Sequence, residues 1–452
     1  MITNDKLALF GGTPIRKKNS FQTKPFVGEE DLKLINEIFE SKILSGFSGS
    51  DIGESEEILK SKSIDLNNLE SYQSATGGKW VRKFESICAK KINADYCISV
   101  NSATSAIHAA ILALDIEPGS EIITTPYTFT ACVAAILQAN CIPVFADIDP
   151  DTFCLSIKSI KEVFSKNTKA ILHVSWCGNS GEIDIIEKYC LEKNIYLIDD
   201  SSQSQFSKLN NRTLGTFGDI GIYSFNQSKN VSVGEGGMII TNNKRLAFRS
   251  RLIRNHAENF ICENYQLKDM VNMAGFNFRL NEIAAAIGYN QILNSEFLNN
   301  TRLNNYNYLI KKLIQFEDFI IPQKISNKES FYSYLASFRF NYKLAGISRD
   351  TFIKALQAEG IPASIGVQRL LSDHPNIKKR IAWGKKNIPW SLKPWKFKIN
   401  SSKKNKLDNS HDLFYKSFFG FYQLGWPTNF KDIDEIILAF EKIFRNIDKL
   451  RL

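Results

Sequence analysis

Between Val81 and Asp200 the chain alternates short apolar runs with helical patterns, a rhythm few folds accommodate. Helical spacing over 84–91 is followed by a strand at 96–100. A turn, Asn101-Ser-Ala-Thr-Ser105, then opens an alanine-rich helix reaching about Leu114. Strands at 121–125, 142–146 and 169–174 are separated by helices at 130–138 and 156–164, and a further helix follows at 183–193. The series closes with a strand at 196–198 that ends on Asp199-Asp200. Strands joined through helices run parallel, because each crossover returns the chain to the same end of the sheet. The pattern therefore predicts an α/β domain on a mainly parallel sheet. Ligands on such sheets collect at the carboxyl ends of strands, which is where Asp200 and the 101–105 turn fall.

A second stretch, 218–241, carries two apolar runs that read as strands, 220–225 and 238–240. The loop between them holds one lysine, Lys229, flanked by hydroxyls and followed by Gly234-Glu235-Gly236-Gly237. A lone loop lysine is ordinarily a solvated charge. This one leaves a buried strand and precedes a glycine cluster that lets backbone approach a bound group closely. Lys229 is thus a candidate for covalent chemistry.

At 452 residues the chain is long enough for two domains. A large domain over 1–300 and a smaller α/β domain over 301–452 are expected. The smaller one holds a strand at 334–342, a helix at 349–359 and a final helix at 432–450. Residues 41–77, rich in Ser, Asn, Gly and acids, read as a long excursion. The net charge of +10 is concentrated: eleven Lys or Arg and no acid lie between Asp373 and Asp408. That segment reads as a solvated basic insertion, or as a patch attracting an anionic substrate. No nucleic-acid motif accompanies it. Trp383, Trp390 and Trp395 within it either anchor it or bind. No apolar run is long enough to cross a bilayer, and the first residues lack a secretory pattern, so cytoplasmic residence is expected. Eight scattered cysteines without a Cys-x-x-Cys pair read as buried free thiols, and no metal site is expected.

Four features converge on one chemistry. The 101–105 turn, with Thr104 and Ser105, offers helix N–H groups to a phosphate, although such residues also serve as plain helix caps. Asp200, with Gln203 three residues on, supplies a carboxylate, unless it too is only a cap. Phe129, in Pro126-Tyr-Thr-Phe129, can cover a flat ligand, although an aromatic there is more often core. Lys229 supplies an amine, with Ser224 five residues before it. Together they meet the needs of pyridoxal 5′-phosphate (PLP). A lysine forms a Schiff base with its aldehyde, and a carboxylate keeps its pyridine nitrogen protonated.

The ordered motifs resemble those of the DegT/DnrJ/EryC1/StrS family of PLP-dependent sugar aminotransferases. They are Gly77-Gly-Lys-Trp-Val-Arg-Lys-Phe-Glu85, Val100-Asn-Ser-Ala-Thr-Ser-Ala-Ile-His108, Asp147-Ile-Asp-Pro-Asp-Thr-Phe153, Asp199-Asp-Ser-Ser-Gln203 and Ser224-Phe-Asn-Gln-Ser-Lys229. Gly234-Glu-Gly-Gly237, Arg254-Asn-His256 and Gly275-Phe-Asn-Phe-Arg-Leu-Asn-Glu282 complete the set. The resemblance implies an aspartate aminotransferase-like fold (PLP fold type I), with a mainly parallel sheet of seven-stranded type. It implies Lys229 as the Schiff-base lysine, Asp200 as partner of the pyridine nitrogen, Gln203 at the ring hydroxyl and Phe129 as the stacking ring. Thr104, Ser105 and Ser224 would contact the phosphate. Asn277 would reach it from the neighbouring subunit, which implies a homodimer with shared sites. The implied reaction converts a keto group of a nucleotide-linked sugar to an amino group, with glutamate as donor. A PLP-dependent sugar dehydratase is an alternative that Lys229 opposes, since histidine replaces the lysine in that branch. A non-catalytic PLP-binding regulator is another. Ala103, Ser201-Ser202 and Asn226-Gln227-Ser228 depart from the commoner pattern.

Overall fold

The parallel sheet forms because each short strand is covered on both faces. The computed structural model describes residues 6–21, 25–47, 77–257, 274–392 and 406–451. Its main sheet comprises β1 (Tyr96–Val100), β2 (Glu121–Thr124), β3 (Ile142–Phe145), β4 (Thr168–Val174), β5 (Tyr196–Asp200), β6 (Ile220–Ser224) and β7 (Gly237–Thr241). Their spatial order is β1-β7-β6-β5-β4-β2-β3. Pairings from β6 through to β3 are parallel, and β7 runs antiparallel between β1 and β6. Alternate residues face opposite cores. Ala170, Leu172 and Val174 join the helix α3 (Ala103–Ala113) and α4 (Ala131–Gln138) side, whereas Ile171 and Leu197 meet α6 (Ile183–Lys193). A fully buried Ile or Leu contributes about 1.5–3 kcal/mol relative to exposure. Summed over the sheet, that burial holds strands of only four to seven residues in place.

Helix α2 (Lys79–Ile92) begins five residues before the periodicity predicts, and its cap explains why. Gly78 has no capping side chain. Instead, the Glu282 carboxylate accepts from Trp80 N–H at 2.7 Å and Val81 N–H at 3.4 Å. Glu282 opens α8 (Glu282–Leu293), which packs on α2, so a side chain two hundred positions away replaces the missing local cap.

Helix α9 (Ser295–Leu313) leads out of this unit: Leu298 packs with α2 and α8, whereas Tyr306, Leu309 and Leu313 lie in a second core. There β8 (Ile320–Pro322), β9 (Ala336–Phe340) and β10 (Phe418–Phe421) form an antiparallel sheet in that order. Helices α10 (Arg349–Ala358) and α11 (Phe430–Arg445) cover it with stacked phenylalanines; the Phe340 and Phe352 rings lie 4.3 Å apart. Leu7 belongs to this core, and the buried Glu359 carboxylate accepts from Ala8 N–H, Ile15 N–H and the Lys442 ammonium.

Trp383 donates to the Leu137 carbonyl at 3.3 Å, and Trp390 packs beside Val133, Leu137 and Phe145. These two tryptophans anchor the basic insertion to α4. Trp395, Cys262 and most of the 41–77 excursion lie outside the described residues. The seven described cysteines are buried and unpaired. Among the described residues, no helix is long and apolar enough to cross a membrane.

Candidate active site

Strand register gathers the chemical residues. Asp200 lies beside Val174 and Ile222 at the ends of β4 to β6, and Gly237 pairs with both Ser224 and Val100. The ends of β1, β5 and β6 therefore meet at one edge. A Cβ on Gly237 would sit 2.4 Å from the Ser102 carbonyl, so only glycine lets the 101–105 turn close on β7. The result is a cavity of about 1280 Å³, lined by Thr104, Phe129, Asp200, Gln203, Ser224 and Lys229 among others.

Ser102 caps α3 by accepting the Ser105 N–H at 3.1 Å. The Ser105 hydroxyl donates to Asn101 Oδ1 at 2.7 Å and is engaged within the turn, whereas Ala103 and Thr104 line the cavity. The helix N-terminus therefore faces the open volume. Ser224 is buried against the same space, and Phe129 is 66% exposed at its edge, leaving a ring face for a flat partner. Asn277 does not line the cavity. It is exposed, bridges to Asn255, and its carbonyl accepts from Asn101 Nδ2 at 3.5 Å.

The two adjacent aspartates part by strand alternation. Asp199 turns away from the cavity, accepting from Ser201 Oγ and Gly215 N–H at 2.6 Å each, and burial pushes its carboxyl up to about 7. Asp200 faces the cavity. Its Oδ1 accepts from Ser202 N–H at 3.1 Å and its Oδ2 from the Cys132 thiol at 3.4 Å. Burial raises its pKa, while those hydrogen bonds and the nearby Lys229 charge pull it back. Gln203 accepts from Cys177 N–H at 2.8 Å, which fixes its amide and leaves its NH₂ group to donate into the site.

Lys229 is half-buried, its Nζ 4.2 Å above the centre of the Tyr334 ring. Its loop is held on both sides by Gln205, which donates to the Ser224 and Val231 carbonyls and accepts from Val231 N–H at 3.0 Å. The Ser228 hydroxyl lies 3.0 Å from the Tyr334 hydroxyl. Sequence reasoning passed over Gln205, Tyr334 and Arg302. Gln205 carried one signal, a glutamine two positions beyond Gln203 in a buried segment. The other two come from beyond residue 300 and carried none.

The donor set suits PLP. Trp176 Nε1 is buried on the cavity wall without a partner among the described residues, and the Ser202 hydroxyl lies by the Asp200 carboxylate. Beside them stand the Gln203 NH₂ group, an open helix N-terminus for a phosphate, a carboxylate for a ring nitrogen and an amine for an aldehyde. Fold and site together define a PLP fold type I aminotransferase.

The chain belongs to the DegT/DnrJ/EryC1/StrS aminotransferase family, whose model matches residues 58–393. It is an aminotransferase, and PLP is its cofactor. It is 27% identical to a putative L-glutamine:3-amino-2,3-dideoxy-scyllo-inosose aminotransferase of Streptoalloteichus tenebrarius, across 99% of both chains. It is 33% identical over 224 residues to GDP-perosamine synthase of Escherichia coli O157:H7, covering 50% of this chain and 60% of that one. Among solved structures, it is similar to Helicobacter pylori PseC, an aminotransferase involved in the biosynthesis of pseudoaminic acid. That match has a TM-score of 0.74 and 22% identity, covering 95% of this chain and 100% of the other.

Proposed function

We propose that this aminotransferase moves an amino group from an amino acid, glutamate in the first instance, to the keto group of a nucleotide-linked sugar. The observation that carries the reading is Lys229 and Asp200 facing one cavity whose volume exceeds what PLP alone requires. The GDP-perosamine synthase likeness supports a nucleotide-sugar acceptor. The full-length likeness to an enzyme named for L-glutamine makes that amide the second donor to try.

Bound PLP supplies an electron sink for the carbanion left when the substrate carbon loses its proton. The chain's own residues do the rest. Lys229 Nζ would hold the cofactor aldehyde, and as a free amine it would be the base positioned to move a proton at the substrate carbon. Asp200 would hold the ring nitrogen's proton, Gln203 would donate to the ring hydroxyl, and Phe129 would cover the ring. Thr104, the α3 N-terminus and Ser224 would take the phosphate, with Ser105 keeping the turn in shape. Asn277 completes the phosphate site of a partner subunit in a homodimer.

The test is spectroscopic. Holoenzyme mixed with glutamate or glutamine should change the absorbance of its bound cofactor, and a keto sugar nucleotide should reverse the change. A cofactor spectrum that responds to amino acids but never to any sugar nucleotide would remove the proposed acceptor.

A further inference from the structure

Most buried arginines here are engaged by the fold itself. Arg254 pairs with Glu85 at 2.6 Å and donates to the Ser99 carbonyl at 3.0 Å. Arg249 meets Asp115 at 3.1 Å and the Ala113 carbonyl at 2.9 Å. Arg349 donates to the Phe414 and Phe418 carbonyls at 2.8 and 2.9 Å and pairs with Asp350. Arg302, on α9, is half-buried and is different. It lines the cavity, forms no ion pair among the described residues, and makes one hydrogen bond, from Nη1 to the Tyr334 carbonyl at 3.3 Å. Burial holds its guanidinium below the usual range, at about 10, with Tyr334 pulling the other way.

A guanidinium has five N–H donors in a planar fork, and this one, half-buried at the cavity, uses one of them in a hydrogen bond among the described residues. Gly425 packs directly on it: a Cβ there would stand 2.8 Å from the Arg302 guanidinium carbon. Gly425 is itself part of the cavity lining, so the guanidinium rests against that glycine at the cavity wall.

We propose that Arg302 is the oxyanion-binding residue of this cavity, holding the carboxylate of the amino donor or the diphosphate of the sugar nucleotide. The inference rests on the aminotransferase reading and names a recognition element within it. The two sources share planar or near-planar oxygen pairs that a guanidinium grips through two parallel hydrogen bonds. Placement favours the carboxylate. Arg302 and Lys229 flank the same residue, Tyr334, one at its carbonyl and the other above its ring. An α-amino acid carries its carboxylate two bonds from its amine, whereas the diphosphate lies across a sugar ring from the reacting carbon.

Two variants test this in the holoenzyme, Arg302→Lys and Arg302→Gln, with the cofactor spectrum and unfolding midpoint confirming an intact fold. Glutarate and inorganic pyrophosphate serve as non-reacting probes, with binding measured by calorimetry. Losing a charge-assisted pair should weaken the cognate probe by about tenfold or more. Arg302→Lys, which keeps the charge but loses the fork, should recover only part of that. Weakened glutarate binding, with a raised KM for the donor at little-changed kcat, assigns the carboxylate. Weakened pyrophosphate binding, with only the acceptor's KM raised, assigns the diphosphate. Unchanged affinity for both probes and unchanged KM for both substrates overturn the proposal. Wild-type protein that transfers no amino group would instead count against the function reading, so the two failures are distinguishable.

Discussion

At the scale of the residue, the site separates neighbours that the sequence writes side by side. Asp199 and Asp200 have the same side chain, yet strand alternation makes one a clasp for the 215–217 turn and the other a cavity carboxylate. Asp200→Asn keeps shape and loses charge. It should lower kcat/KM by at least about a hundredfold, the scale for losing one preorganised electrostatic partner. Steady-state kinetics at saturating PLP would check it, and near-wild-type rates would mean Asp200 is only a cap. Lys229→Ala should abolish borohydride-stable attachment of the cofactor, read by intact mass, together with turnover. A third expectation concerns Glu329, whose carboxylate accepts from Ser180 N–H at 2.8 Å and Ser180 Oγ at 2.9 Å, and which burial raises to about 7. Unfolded, it titrates near about 4.3. The folded state therefore binds more protons between those values, and stability falls as pH rises from about 4 to about 7. Glu329→Gln should make that fall shallower, and an unchanged slope in denaturant midpoints would show that the group is not responsible.

At the scale of the element, helix ends and strand ends do the positioning. The α2 N-terminus has no local cap and relies on Glu282. Glu282→Ala leaves two N–H groups without that acceptor, and a loss of about 1–3 kcal/mol is expected in urea unfolding. A change within about 0.5 kcal/mol would mean that water replaces the carboxylate there. Gly237→Ala probes the other end, since its Cβ cannot coexist with the Ser102 carbonyl. Displacement of the 101–105 turn should weaken PLP affinity more than it lowers global stability. Spectroscopic titration of cofactor into apoenzyme, set beside thermal melts, separates the two.

At the scale of the whole molecule, the cavity joins two units: the sheet edge supplies Asp200 and Lys229, while Tyr334 and Arg302 come from beyond residue 300. Asn277 lies on the surface beside the 101 turn, and the proposed homodimer assigns it to the partner's phosphate site. An equimolar mixture of Lys229→Ala and Asn277→Ala chains should regain roughly a quarter of wild-type activity, because half the dimers are mixed and half their sites intact. No recovery on confirmed subunit exchange would argue against shared sites. Much of this architecture was legible beforehand. Apolar runs spaced by helices specify a parallel sheet, because short buried strands and crossovers leave little else. Lys229, Asp200, Gln203 and Phe129 stand at or soon after strand ends in the sequence, and all four line one cavity. What no local pattern contains is contact between distant segments. Glu282 capping α2, Gln205 lacing the lysine loop, Tyr334 beneath the amine and Arg302 facing the cavity without a counter-charge all depend on where β5, α8 and α9 come to lie. The sequence by itself determined the sheet and the cofactor chemistry, through periodicity and residue type. Only the tertiary structure decided which charges are compensated, because compensation is a property of distance.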